Sequence, residues 1–171
     1  CTKAVAMPDD VQWHFIGHLQ TNKVRQILPH VSLIHSIDSE RLLRLVNAEA
    51  ARLGRKVSVL LQLHVAQEET KFGFTPDELL AIMSQSLIDE LSNVEIAGVM
   101  GMASNVDDEE RIRNDFRLIR SAFDSLMSTV FYNRPEFRIV SMGMSHDWNI
   151  AVAEGADMIR VGTTIFGERE Y

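Results

Sequence analysis

The stretch VSVLLQLHV, residues 57–65, decides how the chain folds. Val57, Val59, Leu61, Leu63 and Val65 alternate with Ser58, Leu60, Gln62 and His64. Alternation places the first set on one face of a strand and the second on the other. One face is uniformly apolar and suits packing against helices. The other is mixed, as expected of a barrel lumen that turns polar toward its working end.

Outward from this strand, short apolar runs alternate with longer amphipathic stretches, a βαβα pattern that implies a mainly parallel sheet. Strands are expected at 13–17, 33–37, 57–65, 94–102, 137–142 and 158–162. A helix at 22–28 stops at Pro29, and Asp38 or Ser39 caps another that carries Leu42, Leu45, Val46, Ala50 and Leu53 on one face and ends at Gly54. Thr75-Pro76-Asp77-Glu78 reads as a capping box with proline at the first helical position. Ile112, Phe116, Ile119, Phe123, Leu126 and Val130 mark a long amphipathic helix, and a further helix is expected at 145–154. Six βα units suit either an open doubly wound sheet or part of a TIM-type (β/α)8 barrel, and the mixed face of 57–65 favours the barrel. On that reading the six units are strands 3–8, and two units, roughly 60 residues at about 30 per unit, are absent.

Composition narrows function. With 171 residues, 46% hydrophobic and 24% charged, the chain suits one domain, 1–171, with a real core. Its net charge of −7 and lack of a long basic run point to a small-molecule partner and away from nucleic acid. No 18-residue apolar run suggests a membrane span, and no signal peptide is visible. A single cysteine, Cys1, fits a reducing, cytoplasmic setting. The chain opens on Cys1 rather than Met, and 1–5 resembles the tail of a helix, so missing N-terminal sequence is expected.

Two glycine-punctuated turns carry the chemistry. After the fifth strand, Gly143, Met144 and Ser145 form a turn in which Gly143 permits close backbone approach and Ser145 can cap the next helix while offering a hydroxyl. After the sixth, Gly162 and Thr163 repeat the arrangement. Barrels often hold phosphate at the ends of their last two strands. Arg160, two residues before Gly162, shares its side of the sheet, where a cation needs either a ligand or a carboxylate. His64 is expected in the lumen near the top of its strand, as a hydrogen-bonded histidine rather than a base. Met100, Met102, Met142 and Met144 suit core filling or the lining of a flat ligand. The histidines form no HxH or HExxH pattern, which gives a metal site little support.

WHFIGHLQTNK (13–23), QEETKFGF (67–74), GVMGMAS (98–104), SMGMSHD (141–147) and IRVGTTIFGEREY (159–171) together resemble the YggS/PROSC group. These are pyridoxal 5′-phosphate (PLP) homeostasis proteins related to the barrel domain of alanine racemase. The resemblance implies a fold-type III PLP barrel that buffers and delivers the cofactor without established turnover. It implies that Met144, Ser145, Gly162 and Thr163 hold the phosphate, that Arg160 faces the pyridine nitrogen, and that Lys71 lies near the pocket. The family's cofactor-linked lysine belongs to a VSK-type strand end, and none of Lys3, Lys23, Lys56 or Lys71 matches it. A racemase-like PLP enzyme, or an open α/β module for another phosphorylated ligand, are the alternative readings. An incomplete barrel is also expected to self-associate through its open edges.

Overall fold

The computed structural model describes residues 7–8, 10–66 and 72–167. Six parallel strands run in strictly sequential order: β1 (His14–Phe15), β2 (Leu33–Ile37), β3 (Val57–Leu63), β4 (Val94–Gly101), β5 (Ile139–Met144) and β6 (Met158–Arg160). The helices are α1 (Val24–Ile27, entered through a 3-10 turn), α2 (Glu40–Arg52), α3 (Pro76–Ile82), α4 (Gln85–Glu90), α5 (Glu109–Ser128), α6 (Trp148–Ala153) and α7 (Thr163–Phe166). A doubly wound sheet reverses its strand order at a switch point and takes helices on both faces. Here the order never reverses.

The helices also pack on one face only. Val57, Val59, Leu61 and Leu63 of β3 join a main core with Leu43 and Val46 of α2, Phe116 and Ile119 of α5, and Ala151 of α6. The opposite face carries its own small cluster of Leu33, Leu60, Ala97 and Met100, to which no helix contributes. That is the section of a curled barrel: helices outside, a separate packed lumen within. It is an incomplete barrel, an open arc in which β1 and β6 are not paired to each other among the described residues.

Local chemistry sets the boundaries. Ser39, rather than Asp38, caps α2 by accepting the Leu42 N–H at 3.3 Å. Thr75 and Glu78 complete a reciprocal capping box, at 3.2 Å from the Glu78 N–H and 2.9 Å from the Thr75 N–H. Beyond it, Ser84 caps a separate helix, α4, because Met83 leaves the helical region at φ −71° and ψ 113°. Four expected strands are shorter, with β3 ending at Leu63 and β4 at Gly101. β1 keeps two residues and β6 three, since each pairs on one side only. β5 runs on to Met144 instead of stopping at Met142, and α6 begins at Trp148 rather than at 145. Near the strand bottoms, Phe137 lies between Phe131 and Phe123, with ring centroids 4.0 and 4.9 Å away.

Candidate functional site

β5 and β6 deliver two turns side by side at their C-terminal ends. Met144 pairs with Arg160 across the two strands, so the turns that follow start level with each other. Ser145 does not cap α6, as its position before the helix suggested. Its Oγ accepts the Gly162 N–H at 3.1 Å and ties one turn to the other. Its hydroxyl proton stays available to an anion. Asp147, 1% exposed, accepts the Met144 N–H at 2.6 Å and fixes the first turn.

The two glycines differ in kind. Gly143 has φ +92°, and a Cβ there would lie 2.6 Å from the Ala151 Cβ and 3.1 Å from the Trp148 Cα. The close seating of α6 on β5 requires it. Gly162 has φ −131°, outside the left-handed region that favours glycine, and a Cβ there would meet nothing within 4 Å. Packing therefore gives no reason for glycine at 162. The space over its backbone is what an approaching ligand would use, beside Thr163, which is exposed. The first N–H groups of a helix such as α7 have no partner within the helix itself.

Arg160 points into the lumen. Its Nη1 donates to Ser141 Oγ at 2.8 Å and its Nη2 to the Gly101 carbonyl at 3.0 Å. Both partners are neutral, and among the described residues it forms no ion pair. Burial lowers its pKa to about 10, opposed by the charge of Asp147, so it remains a cation at neutral pH. A partly buried guanidinium with two of five donors committed, both to neutral groups, has capacity for a further acceptor.

Behind Arg160 lies a network that single-sequence reading missed. Ser141, fully buried, stands 3.1 Å from His35 Nδ1, and His35 Nε2 stands 3.2 Å from His14 Nδ1. His35 is 1% exposed, and its pKa falls to about 3 through burial first, then the positive potential of Arg160 and His14. The signal was the alternation of β2, which puts His35 on the same face as Leu33, but a histidine in SLIHSID has no motif around it.

His64 lies just past the end of β3, partly buried, and is not a partner of Arg160, whose bonds run to Ser141 and Gly101. Lys71 lies outside the described residues, as do Lys3 and Tyr171. Tyr132 is 70% exposed in the turn after α5. Of the methionines, Met100 and Met102 line the lumen cluster, whereas Met142 packs in the main core under the helices and cannot line a ligand there. Among the described residues there is no cluster of metal-ligating side chains, and no helix is long and apolar enough to cross a membrane.

Comparisons with known proteins agree with this geometry. The family model described as alanine racemase, N-terminal domain, matches residues 4–170. A pyridoxal phosphate homeostasis protein from Aquifex aeolicus is 40% identical over 95% of this chain, which spans 69% of that protein. A solved protein of unknown role from Bifidobacterium adolescentis is 36% identical with a TM-score of 0.82, over 91% of this chain and 61% of its own. PipY of Synechococcus elongatus, solved with PLP bound, is 34% identical with a TM-score of 0.81, over 97% of this chain and 74% of its own. The fold is thus shared with solved relatives, and the chain belongs to the pyridoxal phosphate homeostasis protein family, within the alanine racemase N-terminal-domain group.

Proposed function

We propose that this chain binds PLP and serves intracellular PLP homeostasis, as a binding protein that buffers and delivers the cofactor. The observation that carries the reading is the open space at Gly162, level with the Ser145 hydroxyl and two residues from a lumen-facing Arg160. The donor set suits both ends of the molecule. The Ser145 hydroxyl and the backbone N–H of Thr163 hold the phosphate, while Met144 and Gly162, whose own N–H groups are bonded to Asp147 and Ser145, shape the two turns around it. Arg160 meets the pyridine nitrogen. PLP, when bound, supplies an aldehyde on an electron-accepting ring. An arginine donates a hydrogen bond but does not readily give up its proton, so the ring nitrogen stays unprotonated and the ring accepts electrons weakly. That suits storage better than amino-acid turnover.

Equilibrium dialysis against PLP, with inorganic phosphate as competitor, tests the reading. Saturable PLP binding displaced by phosphate, and weakened about tenfold in Ser145→Ala, is expected. Binding that ignores phosphate, or that survives Ser145→Ala unchanged, contradicts it.

The open arc also favours self-association. Among the described residues β1 and β6 leave unpaired edges, and Trp148, Val152, Ile165 and Phe166 expose apolar surface close to β6. The partner is a second copy of this chain.

A further inference from the structure

We infer that His35 and Ser141 are positioning residues that hold Arg160 from across the lumen, through a hydrogen-bonded relay with a single direction. The inference rests on the assignment of Arg160 to the cofactor ring given above. Its first support is topological. His35 belongs to β2 and Ser141 to β5, strands that are not neighbours in the sheet, yet their side chains meet at 3.1 Å in the buried interior. Arg160 of β6 and the Gly101 carbonyl at the end of β4 complete the tie.

Direction follows from which atoms can donate. A guanidinium only donates, so Ser141 Oγ accepts from Arg160. If His35 carried its proton on Nδ1, Ser141 would accept twice and its own hydroxyl proton would be buried without an acceptor, which costs about 1–3 kcal/mol. The satisfied arrangement has Ser141 donating to an unprotonated His35 Nδ1. The proton of His35 then sits on Nε2 and is donated to His14 Nδ1 at 3.2 Å. Every donor points away from Arg160, and His35 is neutral. The depressed His35 pKa agrees, because burial and then the positive charges of Arg160 and His14 disfavour a second ring proton.

The relay gives Arg160 a job distinct from that of the turns. Arg160 is two residues from Gly162, and an unrestrained arginine would fall onto a phosphate held there. Anchored to Ser141 and Gly101, it keeps its remaining donors for the ring. The relay therefore sets preference for PLP over a bare phosphate.

The experiment has two arms, on the parent chain and on Ser141→Ala, His35→Leu and the partial mimic His35→Asn, whose amide oxygen can accept from Ser141. In the ligand-free proteins, long-range proton–nitrogen NMR of the histidine rings reads the tautomer, and Arg160 side-chain exchange reads its restraint. His35 protonated on Nε2, and Arg160 exchange slowed in the parent and His35→Asn but not in the other two, is expected. An Nδ1 proton on His35, or equal Arg160 exchange in all four, overturns the relay. In the second arm, PLP and inorganic phosphate affinities are measured for each protein. Ser141→Ala and His35→Leu should lose about tenfold in PLP affinity with phosphate affinity unchanged, and His35→Asn should recover most of it. Equal loss for both ligands reduces the residues to structural support and overturns the relay's role. If the parent shows no preference for PLP over phosphate, the PLP reading fails by itself, and the ligand-free arm still decides the relay.

Discussion

His35 shows how one buried side chain links stability to site chemistry. Burial, then the positive charges of Arg160 and His14, push its pKa down to about 3 from the ordinary 6.5, so between these values the unfolded chain binds a proton that the folded chain refuses. Its contribution is complete above about pH 6.5 and is lost as pH falls toward 3, with a slope approaching about 1.4 kcal/mol per pH unit. Denaturant titrations between pH 7 and 4 should therefore show the parent losing stability more steeply than His35→Asn. Parallel curves would mean that His35 ionises freely in the folded protein. The same scale separates Gly162 from Gly143. Gly162→Ala should leave the unfolding midpoint nearly unchanged yet weaken PLP binding, because the added methyl enters open space that a phosphate would need. Gly143→Ala should destabilise the fold by several kcal/mol, on the order of 2–4, since it meets both an unfavourable φ and the body of α6. A large stability loss in Gly162→Ala would show that its glycine is structural after all.

Elements were legible where one local rule governed them. The β3 alternation, the 4-3-4 spacing of α5 and the Thr75 capping box each contain their own physical cause, and each element forms on its pattern, although β3 stops at Leu63 rather than 65 and α5 at Ser128 rather than 130. The ends of β1, β5 and β6 were not legible, because a strand's length depends on what pairs beside it. The fate of Ser145 was not legible either. A serine before a helix is ordinarily its cap, and only the neighbouring turn, 17 residues away in sequence, shows that its oxygen is engaged by Gly162 instead. Arg160 could be read from its register with Gly162, whereas Ser141 and His35 needed three strands in place before they meant anything. At the element scale, the stacked Phe123–Phe137–Phe131 group fastens α5 and its following turn to the base of β5. Phe137→Ala should cost about 3–5 kcal/mol and lower the thermal midpoint without altering His35's tautomer. A loss below about 1 kcal/mol would show that the stack is replaceable.

For the whole molecule, an open arc has consequences that a closed barrel avoids. The lumen cluster is small, a partly buried cation with neutral partners shares the lumen, and among the described residues the sheet ends in two unpaired edges. Sedimentation equilibrium should show concentration-dependent association, reduced by Trp148→Lys or Phe166→Lys on the exposed apolar surface beside β6. A compact monomer at all concentrations would remove self-association from the account. The central claim is that the described residues supply a phosphate grip and a ring-facing arginine, with no lysine matching the family's attachment motif. Absorbance titration of this chain with PLP, followed by borohydride reduction and mass analysis, tests that most directly. The account predicts weak, phosphate-competable binding with no stoichiometric reduced adduct. Tight binding with a single lysine fully labelled would contradict it.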